Sequence, residues 1–261
     1  MRSLSIGATG MQAQQLNVEV ISNNIANLST TGFKRSRAEF QDMLYENLRR
    51  VGSPSSDTGT LLPSGLQVGL GVMPVATYRI NEQGNLNVTN NPYDIAINGR
   101  GFLQVQRPDG TTAYTRAGSL QLNQDGQLVN PEGLPVIPSI TVPSNATGIT
   151  INAAGQVLAN IDGQSTQSNL GQLQLATFTN PTGLESIGNN LLKETESSGS
   201  PVTGNPQAAG FGSIVQGSLE TSNVNIVSEI TNLITAQRAY EMNSKVIKTS
   251  DEMLTTISQL R

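Results

Sequence analysis

The sequence predicts an α+β chain in which a helix at each end brackets an all-β middle. Three observations carry that prediction. Large apolar residues recur every seven positions near both termini, short alternating runs separated by Gly-containing turns fill the middle, and composition shifts sharply between these regions. The two ends resemble each other more than either resembles the middle.

The first helix is marked by Leu4, Met11, Val18 and Ile25, with Ile21 and Leu28 on the neighbouring row. The second is marked by Ile226, Leu233, Tyr240, Ile247 and Leu254, widened by Ile230, Ile234, Val246 and Ile257. A seven-residue apolar repeat sustained over several turns predicts coiled-coil-like helices. Neither helix can bury its stripe alone, and an isolated helix in water is marginal. The stripes are therefore candidate assembly residues, which need each other or copies in neighbouring subunits. An ordinary amphipathic helix on a globular core is the alternative for either segment taken singly.

After the first helix, the run from Val51 to Gly65 is dense in Pro, Gly and Ser, with Pro54 and Pro63 inside it, and cannot continue a helix. A flexible linker is one reading of it. The alternation of Leu66, Val68, Leu70 and Val72 supports another, a single long hairpin from Val51 to Val72. From about Pro74 to Phe211 the pattern is strands and turns. Leu120–Leu122 and Gln127–Val129 flank Asn123-Gln124-Asp125-Gly126, and Ile149–Ile151 and Val157–Ala159 flank Asn152-Ala153-Ala154-Gly155. Many such hairpin signals in succession predict a barrel or sandwich, and a middle of this length can bury its own core. The stretch from Ser197 to Gly212 reads as a loose return loop.

Composition narrows the function. The 261 residues include no Cys, His or Trp, only 13% are charged, and the net charge is −4. There is no thiol nucleophile and no Ser-His-Asp relay, and the usual zinc, haem and iron–sulfur ligands are missing. Asp57-Thr58-Gly59 copies the aspartic-protease tripeptide, but that mechanism needs a second carboxylate loop, and no second copy occurs. Asp109 and Asp125 precede Gly in turns, where Asp caps local backbone donors; a glycosidase pair is the remote alternative. No EF-hand or P-loop pattern occurs. Neither a basic footprint for nucleic acid nor an apolar run long enough to span a bilayer is present, and the start of the chain lacks a secretory h-region. The expectation is a non-enzymatic protein without cofactor or metal, with no nucleic-acid partner and no membrane insertion.

The stretch Ser22-Asn23-Asn24-Ile25-Ala26-Asn27-Leu28-Ser29-Thr30-Thr31-Gly32-Phe33-Lys34-Arg35 resembles the N-terminal motif of the flagellar rod and hook family of axial proteins. Glu220-Thr221-Ser222-Asn223-Val224-Asn225 and Ala236-Gln237-Arg238-Ala239-Tyr240-Glu241-Met242-Asn243 resemble its C-terminal motif, and Tyr93 to Phe102 extends the likeness into the middle. The run Leu62 to Gly69 and the insert before it are similar to a feature of the distal-rod branch that hook proteins lack. The resemblance implies a D0 domain of paired terminal helices (1–32 and 224–261), an extended connecting region with the long hairpin (33–75 and 212–223), and a β-rich D1 domain (76–211). It also implies a structural subunit polymerising into a rigid hollow helical shaft that transmits torque from motor to hook and lets exported proteins pass. Its partners would be other copies, proximal rod and hook proteins, the P and L ring proteins and the type III export apparatus. Its place would be the basal body, crossing the periplasm to the outer membrane, reached by export without a cleaved signal. A proximal rod or hook subunit is the runner-up, and a secreted β-domain protein acting on carbohydrate is a remote third.

Two further expectations follow. Asn23, Asn24 and Asn27 with Thr31-Gly32 fit a helix C-terminus with a Gly cap, or bonds to neighbouring subunits. Gly65, Leu66 and Val68, with Pro54 and Pro63, belong to a hairpin that would stiffen the polymer by filling space between subunits.

Overall fold

The structure, a computed structural model, describes residues 2–50, 64–163 and 166–259. It is α+β, with two long helices and many strands in two compact units. Unit 1 comprises Met1–Ile25, Ser36–Tyr78 and Asn225–Arg261; unit 2 comprises Ala26–Arg35 and Arg79–Val224.

In unit 1, helix α1 spans Arg2–Ala26 and helix α2 spans Ile226–Gln259. Asn225 caps α2, its Oδ1 accepting the amides of Val227 at 3.1 Å and Ser228 at 3.2 Å, which satisfies donors the first turn would otherwise leave open. Between the helices lie strands β1 (Ser36–Asp42), β2 (Tyr45–Arg49), β3 (Leu66–Gly69) and β4 (Val72–Arg79). Strand β1 pairs with β4, and β2 pairs antiparallel with β3, with Glu46 opposite Val68. The Met43 amide bonds to the Gly71 carbonyl at 2.8 Å between the two ladders. The ladder thus begins at Ser36, fifteen residues before the expected start at Val51 (Ser36 to Val51 in sequence). The charged, unalternating run from Ser36 to Arg49 hides it. Pro54, Pro63 and the Asp57-Thr58-Gly59 tripeptide lie outside the described residues.

Unit 2 is built on a seven-stranded sheet. Its order is Glu185–Gly188, Leu191–Lys193, Thr112–Thr115, Phe102–Gln106, Leu175–Thr177 and Val202–Gly204, with Val136–Ile137 also pairing with Phe102–Gln106. Leu103 and Val105 point into the main core with Ile95, Ile97, Leu120, Leu128, Val157, Leu173, Leu175 and Ile214, all at most 2% exposed. The opposite face carries Phe102 and Tyr114, which meet Phe178 edge-on at 6.0 and 4.8 Å between ring centroids. Two expected hairpins form as read: Leu122 pairs with Leu128, and Ile151 pairs with Val157. In the first, Asn123 Oδ1 accepts the amides of Asp125 and Gln127, and Gly126 takes φ +75°, so the side chain that caps this turn is that of Asn123, not the expected Asp125. Asp109 does cap its turn: hydrogen bonds from the Thr111 hydroxyl and amide, then the Arg107 charge, keep its carboxyl below its ordinary value.

Local patterning does not disclose the pairings that close the unit. Leu86–Val88 pairs with Ser218–Glu220, and Ile95–Asn98 pairs with Ser213–Gln216, so the return segment forms strands against residues more than a hundred positions earlier. The segment Ser197 to Gly212, expected as a loop, contains a strand at Val202–Gly204.

Candidate functional site

The terminal helices hold most of the candidate assembly residues. A Cβ placed on Gly7 would lie 2.9 Å from Ile247 Cγ1, and one on Gly10 would lie 2.8 Å from Asn243 Nδ2. Farther along, Asn24 Nδ2 reaches Glu229 Oε2 at 3.3 Å. Partner numbers fall as α1 numbers rise, so the helices run antiparallel, and the two glycines let them approach closely.

The row of α2 that is buried differs from the row its large apolar residues define. Glu229, Ala236 and Ser250 are 2–5% exposed, and Asn243 is half-buried. They share the seven-residue spacing of the apolar stripe but sit beside it, and they are small or polar. Of the stripe itself, Leu233 and Ile247 are half-buried, whereas Ile226, Tyr240 and Leu254 are 38–44% exposed. Val227, Ile230, Ile234, Met242, Val246 and Met253 are also exposed. On α1, Leu4, Met11, Val18 and Ile25 are all half-buried, while Gly7, Ala13, Ile21 and Asn24 are buried. A single chain therefore spends its small residues on helix pairing and leaves large apolar side chains in water.

The family-motif residues divide by role. Asn24 is 2% exposed; its carboxamide accepts the Ser36 amide and donates to the Ser36 carbonyl, both at 2.8 Å, while also donating to Glu229. Asn23 and Ala26 are exposed, and Asn27, Gly32 and Phe33 are half-buried. The expected Gly cap is corrected: α1 ends at Ala26, six residues before Gly32 (positions 26 and 32). Gly32 instead takes φ +69° so that its amide reaches the Glu220 carbonyl at 2.8 Å. A Cβ there would stand 2.8 Å from the Ala117 nitrogen and the Arg116 carbonyl carbon, both rigid backbone atoms. Gln237 and Arg238 are exposed, Ala239 is half-buried, and Asn243 faces Gly10. In the hairpin, Leu66 is 53% exposed and Gly65 and Val68 are half-buried.

Unit 2 contains a charged centre that pattern reading missed. The Glu220 side chain is fully buried; Lys34 Nζ bonds one of its oxygens and Arg116 Nε the other, each at 2.6 Å. The Gly84 amide adds a 2.9 Å bond to Oε1. Lys34 also donates to the Glu82 carbonyl, and Arg116 to the carbonyls of Gly101 and Ile97. Burial by itself would raise the Glu220 pKa, but the Arg116 charge and the hydrogen bonds from Lys34 and Arg116 outweigh it and hold the carboxyl below its ordinary value. For Lys34 burial wins, lowering its pKa against the hydrogen bond and charge of Glu220. These four segments (Lys34, Gly84, Arg116 and Glu220) are locked by charge-assisted bonds, an arrangement that ties the stretch around Lys34 and the returning stretch around Glu220 together within unit 2. Lys34 and Glu220 lie inside the two quoted motifs, which was the available signal; Arg116 carried none.

Among the described residues, no cluster of three or more His, Cys, Asp or Glu is placed to hold a metal ion, and no helix is long and apolar enough to cross a membrane.

Comparison with known proteins accounts for both chain ends and the middle. Residues 4–34 match the family described as flagella basal body rod protein, residues 96–159 the flagellar hook protein FlgE/F/G D1 domain, and residues 215–260 the flagellar basal body rod FlgEFG protein C-terminal region. The chain is 55% identical to the flagellar basal-body rod protein FlgG of Caulobacter vibrioides over 261 residues, 100% of both chains. It is 47% identical to FlgG of Borreliella burgdorferi over 100% of this chain and 99% of that one. Identity is 32% to the flagellar hook-basal body complex protein FlhP of Bacillus subtilis, again over 100% of both.

Proposed function

Because the chain belongs to the flagellar rod and hook family and is a structural subunit of the flagellar rod, most like the distal rod protein, we propose that it polymerises through the exposed apolar faces of its terminal helices. The observation that carries this reading is the set Val227, Ile230, Ile234, Met242 and Val246, 43–71% exposed along one helix. Large apolar side chains exposed repeatedly along one helix are surface of the kind that takes part in protein–protein contact. Different surfaces meeting head to tail give an open helical polymer when the rotation does not close. The reading extends to a rigid hollow shaft that transmits torque and lets exported proteins pass, with a helical D0, a connecting region and a β-rich D1. Coiled-coil packing of the helices belongs to that assembled state, in which the apolar side chains left exposed in the single chain are buried against neighbours. The P and L rings, the proximal rod, the hook and the type III export apparatus are the proposed partners. Unprocessed export and a position across the periplasm are the proposed route and place.

The hairpin is proposed to supply rigidity. Leu44, Tyr45, Leu48 and Leu66 are 48–83% exposed on its arms, which supports contact with neighbouring copies. Rods made from a chain lacking residues 51–72 are expected to bend, and equally straight rods would remove the hairpin from this role.

The direct test of assembly is the double substitution Ile230→Asp/Ile234→Asp. Both side chains are over 40% exposed, so the β unit is expected to melt unchanged while rods and motility are lost. Normal rods would contradict the reading. Leu233→Asp, the substitution the apolar period suggests first, is less clean because Leu233 is half-buried within its own chain.

A further inference from the structure

We infer that the buried Asn24–Glu229 pair sets the register between the two terminal helices, and with it the phase in which the chain presents its apolar face to other copies. The register claim stands on the fold alone; the consequence for assembly rests on the proposed function.

Packing discriminates weakly between registers one heptad apart. In the observed register Gly7 meets Ile247 and Gly10 meets Asn243. A slide of seven residues would bring Leu254 to Gly7 and Ser250 to Gly10, exchanging one aliphatic side chain for another and one small polar residue for a smaller one. The contact row of α2 is built of such residues throughout: Ala236, Asn243 and Ser250. Large side chains that would distinguish registers, such as Ile230, Ile234 and Val246, are exposed instead.

The polar pair does discriminate. Asn24 is fixed by its two 2.8 Å bonds to the Ser36 backbone, which leave its remaining N–H aimed at Glu229. Glu229 is 4% exposed and receives that N–H at 3.3 Å. After a one-heptad slide Asn24 would face Ala236, leaving a buried donor unsatisfied and a buried carboxylate without its amide, each a costly state. A single buried polar position is how helix pairs fix register at some expense of stability. The competing explanation is chain connectivity: α2 starts at Ile226 beside its Asn225 cap, and that start could fix the register unaided.

The natural chain has no Cys, so an introduced pair reports alone. Full-length Gly10→Cys/Asn243→Cys and Gly10→Cys/Ser250→Cys chains, each with and without Asn24→Leu/Glu229→Leu, are oxidised as soluble chain and as isolated rods. The intrachain disulfide is identified by mass. With the polar pair intact, only the 10–243 disulfide is expected; with it removed, the 10–250 disulfide should rise at least fivefold. Glu229→Gln keeps an oxygen for Asn24 and should retain the parent pattern. An unchanged pattern in Asn24→Leu/Glu229→Leu would assign the register to connectivity and overturn the inference. Loss of both disulfides would overturn it too, since the pair would then hold the helices together rather than align them. Rods are scored separately: a shifted disulfide with rods lost would support the link to assembly, and a shifted disulfide with normal rods would refute it, whereas normal rods from Ile230→Asp/Ile234→Asp would count against the assembly reading alone.

Discussion

Glu220→Gln is the sharpest probe of how the β unit is held together. The substitution keeps the shape and one acceptor oxygen but removes the charge that Lys34 and Arg116 share at 2.6 Å each. Removing one member of a buried ion pair typically costs about 3–5 kcal/mol, because the partner charge is left buried without compensation. Here the cations are not stripped bare. Lys34 keeps the Glu82 carbonyl, and Arg116 keeps those of Gly101 and Ile97, so the lower end, about 3 kcal/mol, is expected. At about 2–4 °C per kcal/mol for a unit of this size, the melting temperature should fall by about 6–12 °C. Far-UV circular dichroism on the full chain at pH 7 measures it. Glu82→Gln is the control: that side chain is 71% exposed and 3.6 Å from Arg35, a surface pair worth about 0–1 kcal/mol. If Glu220→Gln shifts the melt no more than this control does, the cluster is not what holds the Lys34 and Glu220 segments together in unit 2.

The same centre gives a pH dependence. Folded Glu220 holds its proton less tightly than the unfolded chain does, so its stabilisation is fully present above the ordinary carboxylate value of about 4. It is lost as pH falls through the depressed folded value, and the gap in melting temperature between parent and Glu220→Gln should narrow over that acid limb; a gap constant with pH would contradict the assignment. Gly32→Ala should cost about 2 kcal/mol or more, from the left-handed backbone and the 2.8 Å approach to Arg116 and Ala117. A melt within about 2 °C of the parent would show that this crossing point relaxes freely.

Much of the fold was legible in the sequence, and what was not has physical reasons. The helices announce themselves through a seven-residue period, and the hairpins at Asn123–Gly126 and Asn152–Gly155 through turn chemistry, both of which are local. The pairing of Leu86–Val88 with Ser218–Glu220 is not local, and no periodicity encodes a partner so far away. The Lys34–Glu220–Arg116 cluster was invisible for the same reason: its members are 186 and 104 positions from Glu220. The helix contact row was missed differently. Apolar periodicity selects Ile226, Leu233 and Tyr240, whereas the buried row of Glu229, Ala236 and Ser250 is too small and polar to register. That displacement agrees with the proposed assembly, in which the residues most visible to a hydrophobic pattern are the ones proposed for contact between chains.

A helical reconstruction of isolated rods tests this most directly. Val227, Ile230 and Ile234, exposed in the single chain, are expected to be buried against a neighbouring copy while Gly10 still faces Asn243 within each chain. Those three side chains facing water in the assembled rod would contradict it.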